Sequence, residues 1–262
     1  MDTYQALNTF YSNYDEEGRL LSRHGQVEYL TTMRYIEKYL RPGMRILEIG
    51  AATGRYSHTL ARMGYQVDAV ELIPHNIKIF KTQTQPGEDI TIRQGNAMEL
   101  SFFEDETFDM TLLLGPMYHL YTEKEQMKAL SEAIRVTKKG GIVMAAYCGN
   151  DATVVAYGFG RGEFKQEKYR NLLDMETFKA YSNPEEVFQL YRTEEIDNLM
   201  ENFNTQRLHF VGTDMATNYM REAVDSMDDE FFNLYMSYHF AVCERADMVG
   251  VSHHFLDVFR KL

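Results

Sequence analysis

Positive charge is scarce in this chain. Its 27 Lys and Arg residues face 39 Asp and Glu, a formal charge of −12. Such a surface repels phosphate backbones, which argues against nucleic acid as a partner. The densest basic pair, Lys138-Lys139, reads as a solvated turn. Cysteine is also rare: Cys148 and Cys243 form no C-x-x-C and no metal-type spacing, so free thiols and no metal are expected. Long apolar runs are missing, and stretches such as IVMAAYC are far too short to span a bilayer. The opening MDTYQALNTF lacks the basic and apolar character of a signal peptide. These absences together predict a cytoplasmic protein with no membrane association. Repeats and low-complexity tracts are absent too, and the five prolines mark single turns rather than a linker.

What is present suits a globular domain. Apolar residues make up 44% and charged residues 25% of 262, enough to bury a real core. From about Met44 to Tyr147, short apolar runs alternate with amphipathic ones. RILEIG, QVDAVE, ITIRQG, FDMTLLLG and GIVMAAY read as strands; Arg55–Met63, His75–Gln83 and Glu123–Val136 read as helices. Thr122 and Glu125 preface the third helix as a capping box, and Gly64 suits a left-handed cap after the first. Continuous apolar strands alternating with helices imply a parallel sheet covered on both faces, with ligands at the carboxyl ends of its strands. Residues 2–14 and 24–40 look helical, 148–200 turns tyrosine-rich and reads as helical, and 207–212 and 252–262 read as two late strands.

The strand ends carry the functional signal. RILEIGAATGRYS, residues 45–57, is a strand running into a glycine turn and then a helix whose amides point at whatever sits there. A dinucleotide fingerprint needs glycines at 50, 52 and 55; this chain has Ala52 and Arg55, and no Walker loop exists. The pattern E-x-G-x-A-x-G, with Glu48 two residues ahead of Gly50, resembles motif I of the class I S-adenosylmethionine-dependent methyltransferases. Glu71 ends the second strand, where a carboxylate can accept hydrogen bonds from vicinal ribose hydroxyls, a feature shared with NAD-binding folds. The third strand ends in Asn96-Ala97-Met98, with Asn96 able to meet an adenine amine and Met98 to pack on the ring. The fourth ends in LLLGPMYHLYT, which is similar to segments of small-molecule methyltransferases and lacks the N-P-P-Y and Pro-Cys motifs of other subclasses.

The resemblance covers about 44–147. It implies a Rossmann-like, doubly wound α/β fold with a seven-stranded sheet, mostly parallel with an antiparallel last strand, plus a helical lid. The expected organisation is N-terminal helices over the cofactor (1–43), a cofactor-binding core (44–147), the lid (148–204) and completion of the sheet (205–262). S-adenosylmethionine is the implied cofactor. Its expected contacts are Glu48, Gly50, Ala51, Ala52, Gly54, Glu71, Leu72, Asn96, Ala97, Met98 and Leu114, with Arg23 reaching the methionyl carboxylate.

The implied chemistry moves a methyl group to an O, N, S or C atom of a small molecule. Proximity and exclusion of water supply much of such a rate, and a base is needed only for a protonated acceptor. His119 is the leading base, with Tyr118 beside it. Tyr147, Tyr157, Arg161 and His239 are candidates to hold the acceptor. His253 and His254 fall in a late strand, where neighbours point to opposite faces, so no chelating pair is expected. Two alternatives stay open: a nicotinamide-dependent oxidoreductase, and a non-catalytic S-adenosylmethionine-binding protein. The aromatic lid also leaves a homodimer open.

Overall fold

Side-chain alternation along the strands builds two cores, one on each face of a central sheet. The computed structural model describes residues 2–14 and 16–262. The five expected strands are β1 (Arg45–Ile49), β2 (Gln66–Glu71), β3 (Ile90–Gln94), β4 (Phe108–Leu113) and β5 (Thr137–Gly149). Ile46, Met110, Leu112, Ile142 and Met144 point to one face. They pack under α3 (Arg23–Tyr39) and α4 (Arg55–Arg62) through Met33, Ile36 and Leu60. Leu47, Leu113, Val143 and Ala145 point to the other. There they meet α6 (Glu123–Val136) through Ala129, Leu130 and Ala133. Each fully buried aliphatic of this kind contributes on the order of 1.5–3 kcal/mol. The capping box at Thr122 and Glu125 is formed, and Gly64 takes a φ of 90° just beyond α4.

The sheet order is β3-β2-β1-β4-β5-β8-β7, with β7 (Thr205–Gly212) and β8 (His254–Lys261) supplied by the two late runs. All pairings from β3 to β5 are parallel, and β8 runs antiparallel between β5 and β7. This reversal places the first residue of β8 at the carboxyl edge of the sheet, where His254 pairs with Cys148. Asp214, two residues beyond the end of β7, reaches the same edge.

An eighth strand, β6 (Leu190–Tyr191), pairs with Cys148 and Gly149. Two residues are too few to leave a periodic signal, which is why seven strands are expected from the sequence and eight are found. The segment from 148 is less helical than its composition suggests. It has α7 (Asn150–Thr153), a π-helical turn at Val154–Gly160, α8 (Glu167–Arg170) and α9 (Thr193–Met200). Between α8 and β6 the chain is irregular, with Asn171, Asn183 and Pro184 as breakers. The remaining helices are α1 (Thr3–Asn13), α2 (Glu16–Arg19), α5 (Pro74–Gln83), α10 (Arg221–Asp225) and α11 (Asp229–Val242). Among the described residues no helix is long and apolar enough to cross a membrane.

Candidate functional site

A cavity of about 1150 Å³ opens along the carboxyl edge of the sheet. Pockets for one small ligand measure roughly 300–1,000 Å³, so this one has room for a cofactor and a second molecule. Its walls come from the strand-end turns, from α1 to α3 on one side and from the 148–204 segment on another.

The turn after β1 is shaped by close backbone approach. Gly50 has a φ of 78°, and a Cβ there would stand 2.5 Å from Cδ of Pro116. Ala52 also takes the left-handed region at a φ of 46°, a conformation most side chains avoid. Its N–H donates to the carboxylate of Glu71 at 2.8 Å, and Ile73 N–H donates to the other oxygen at 2.8 Å. Burial raises the Glu71 carboxyl, while these hydrogen bonds and one from Asn76 oppose the rise. Glu71 is thereby fixed in the cavity wall with lone pairs left over. Asn96 also lines the wall, but its Oδ1 accepts the Met98 N–H at 2.9 Å in a local turn.

Of the residues expected from sequence, Gly50, Ala52, Glu71, Leu72, Asn96, Ala97, Met98, Leu114, Tyr118, His119 and Tyr157 line this cavity. Glu48, Ala51, Gly54, Arg23, Tyr147, Arg161 and His239 lie outside its lining. Glu48 is buried beneath α4, where it accepts a hydrogen bond from Ser57, and burial pushes its carboxyl up to about 8. Ala51 packs against Ala69 and Phe80, and a Cβ on Gly54 would also meet Phe80. Arg23 is held by Asp229 at 2.5 Å and lies over Phe232. Tyr147 faces the core on the α6 side, edge-on to Tyr191. Arg161 stacks on Tyr157, 4.2 Å from its ring centroid. His239 on α11 meets Thr31 of α3 at 2.8 Å, an interhelical contact away from the edge.

His119 is engaged on both ring nitrogens. Nδ1 donates to the Val187 carbonyl at 2.9 Å, which leaves Nε2 to accept from the Tyr11 hydroxyl at 2.8 Å. It thus joins α1, the turn after β4 and the 148–204 segment across the cavity. Burial pushes its imidazole down to about 4.

Sequence reasoning missed the far end of the cavity, lined by Glu28, Cys148, Asp214, Asn218, Arg221, His253 and His254. Asp214 is the hub. It accepts from Ser252 Oγ at 2.6 Å, from the backbone N–H groups of His253 and His254 at 2.9 and 3.2 Å, and from His254 Nδ1 at 2.7 Å. Burial opposes its charge, but the charge of His254 and these hydrogen bonds hold the carboxyl well below the usual range. Burial likewise opposes a charged His254, yet Glu28 and Asp214 hold it well above the ordinary histidine value. Arg19 completes the set by bonding Glu28 at 2.6 Å. Ligand atoms of Glu28, Asp214 and His254 lie within 4.8 Å of one another, a grouping able to hold a metal ion. Each of the three already has an ionic partner, however, so the cluster balances its own charge. The rule that marked Glu71, a carboxylate at the carboxyl end of a strand, extends to Asp214 two residues past β7 and could have found it.

Residues 47–145 match the family model described as a methyltransferase domain. The ubiquinone biosynthesis O-methyltransferase of Methylocella silvestris is 32% identical over 128 residues, 48% of this chain and 48% of that protein. The demethylmenaquinone methyltransferase of Lysinibacillus sphaericus is 26% identical over 145 residues, 54% and 59% of the two chains. The chain therefore spans about half the length of these curated relatives. Among solved structures, a methyltransferase from Thermotoga maritima, reported as a possible histamine N-methyltransferase, aligns over 100% of both chains with a TM-score of 0.59 at 18% identity. One from Methanosarcina mazei covers 87% of this chain and 97% of its own, with a TM-score of 0.58 at 18% identity. The domain match, the strand order with its reversed last strand and the cavity at the carboxyl edge agree: residues 47–145 match a methyltransferase domain, set in a fold shared with solved S-adenosylmethionine-dependent methyltransferases.

Proposed function

We propose that the chain transfers a methyl group from S-adenosylmethionine to a small molecule held in the far end of the cavity. The observation that carries this reading is Glu71, a carboxylate locked in the cavity wall by the amides of Ala52 and Ile73. That arrangement fits a nucleoside, because a carboxylate held at the cavity wall is the group that best accepts from vicinal ribose hydroxyls. Gly50, pressed on Pro116, keeps the wall free of a side chain beside the methionyl part. Asn96 and Met98 would flank the adenine, with the Asn96 amide still available although its oxygen serves Met98. Bound there, S-adenosylmethionine supplies an activated methyl on a good leaving group. The protein's part is to align the acceptor and exclude water. Leu114, Tyr118 and Tyr157 complete the lining of the cavity. With both nitrogens occupied, His119 serves as a tie closing α1 and residue 187 over the site, rather than as a free base.

The relatives named for ubiquinone biosynthesis and for demethylmenaquinone make quinone-type small molecules the first acceptors to test. Calorimetry with S-adenosylhomocysteine tests the cofactor half. Wild type should bind, and Glu71→Ala should weaken binding by at least about 100-fold, the loss of two charge-assisted hydrogen bonds. A wild-type protein with no measurable binding sinks the proposal.

A further inference from the structure

Two neighbouring histidines at the far end of the cavity use their rings differently. Among the described residues, the enclosed side-chain nitrogens and oxygens without a hydrogen-bond partner belong to Arg55, Tyr147, His239 and His253. Both ring nitrogens of His253 are sealed in. His254 is not of that kind. Its Nδ1 donates to Asp214 at 2.7 Å, whereas Nε2 has no such partner and yet is not enclosed. With 23% of the side chain accessible where His254 lines the cavity, Nε2 is the nitrogen open to a ligand. The thiol of Cys148, its neighbour across the pairing of β5 with β8, adds only a weak acceptor.

The ring is aimed and charged by what holds it. Asp214 at 2.7 Å and Glu28 at 3.5 Å both face Nδ1, so the imidazole keeps both protons and its second N–H points away from them. The backbone is fixed too: His254 N–H donates to Asp214 at 3.2 Å, and its carbonyl accepts from Thr213 N–H at 2.9 Å. Arg19 of α2 pairs with Glu28 of α3 at 2.6 Å, so Arg19, Glu28, Asp214 and His254 cancel in charge. Arg221 is the further cation on this wall, and it lies near Asp225, which it helps to keep ionised. Burial holds His253 neutral.

We propose that His254 is a substrate-orienting residue, its Nε2–H donating to the carbonyl oxygen of an uncharged substrate: a ketone, quinone or amide. This rests on the methyltransferase reading above and names the substrate class for it. A carbonyl oxygen offers the lone pair that the N–H needs and brings no charge to a wall already balanced. An ammonium has no lone pair to offer, and a carboxylate would meet Asp214 and Glu28. The methyl goes to another atom of the same molecule, which this hydrogen bond helps to aim at the cofactor.

The test measures binding of 1-tetralone, of tetralin, the same bicycle without oxygen, and of 1-aminotetralin, with and without S-adenosylhomocysteine. Wild type should bind 1-tetralone and discriminate against 1-aminotetralin. His254→Phe should lower the tetralone-to-tetralin affinity ratio about tenfold or more, the loss of a hydrogen bond to a charged donor. The infrared carbonyl stretch of bound tetralone should lie at lower frequency in wild type than in His254→Phe. His254→Gln, which keeps a neutral N–H, should fall between the two in both readouts. No tetralone binding by wild type, an unchanged ratio and stretch in His254→Phe, or preference for 1-aminotetralin would overturn the inference. Should His254→Phe fail to fold, a His254→Gln protein with the wild-type ratio and stretch overturns it equally. Calorimetry of S-adenosylhomocysteine on the same samples separates the two readings. A wild type that fails to bind it refutes the cofactor reading, whereas binding with any of those results refutes the role of His254 alone.

Discussion

The two ends of the cavity are made of different material. At the cofactor end the main chain does the shaping: Gly50, Ala52 and the amides of Ala52 and Ile73 set the wall, and one carboxylate completes it. At the proposed acceptor end side chains from three distant parts of the chain converge: Glu28, Asp214 with Arg221, and the pair His253-His254. Two histidines show the contrast. His119 and His253 are both buried and both pushed down to about 4. One spends both nitrogens tying the site together and the other spends none.

The largest expected effect breaks the acceptor end. Asp214→Asn leaves His254 with only Glu28, at 3.5 Å, as counter-charge in place of the hydrogen-bonded carboxylate and weakens the bonds that hold residues 252–254. It should lower stability by about 3–5 kcal/mol, the usual result of breaking a buried charged pair. Denaturant titration measures this, and affinity for S-adenosylhomocysteine should fall much less than stability does. Equal loss of both would mean that the two ends are not separable.

Gly50→Ala breaks the other end. Its Cβ meets Pro116 at 2.5 Å in a left-handed backbone, so a loss of about 2–3 kcal/mol is expected, together with at least about tenfold weaker S-adenosylhomocysteine binding. Ala52→Gly in the same turn relieves the strain at a φ of 46° but adds unfolded-chain entropy. It should move stability by less than about 1 kcal/mol.

A pH experiment sharpens the boundary between core and site. Burial raises the Glu48 carboxyl from 4.5 to about 8, with the Ser57 hydrogen bonds opposing. The unfolded chain loses this proton near pH 4.5 while the folded one keeps it to about 8. The contribution of Glu48 is therefore fully present below 4.5 and is lost progressively as pH rises to 8. Glu48→Gln removes that loss, so the Tm of the variant minus that of wild type should climb across this window and stay flat below it. A difference independent of pH would show that Glu48 is ionised in the fold.

The same division explains what could be read in the sequence. The proposed cofactor end is local: a strand, a turn and a helix within residues 45–57, then single residues at strand ends, and Gly50, Ala52 and Glu71, picked out there by a family resemblance, do line the cavity. Spacing could not say which way β1 turns its side chains, and Glu48 went under α4 to Ser57. Ala52, which fitted the glycine pattern poorly, adopts the glycine-like backbone all the same. The acceptor end is a product of topology. Only the reversal of β8 between β5 and β7 brings His253 and His254 to the edge that β7 delivers Asp214 to. Arg23 and His239 looked available in sequence but are taken by Asp229 and Thr31, partners more than 200 positions away.

A crystal structure with S-adenosylhomocysteine bound tests the central claim most directly. The ribose hydroxyls should lie on Glu71, the adenine beside Asn96 and Met98, and the sulfur should face the end lined by Tyr118 and His253. A ligand seated elsewhere, or with its ribose turned away from Glu71, would contradict the division of the cavity described here.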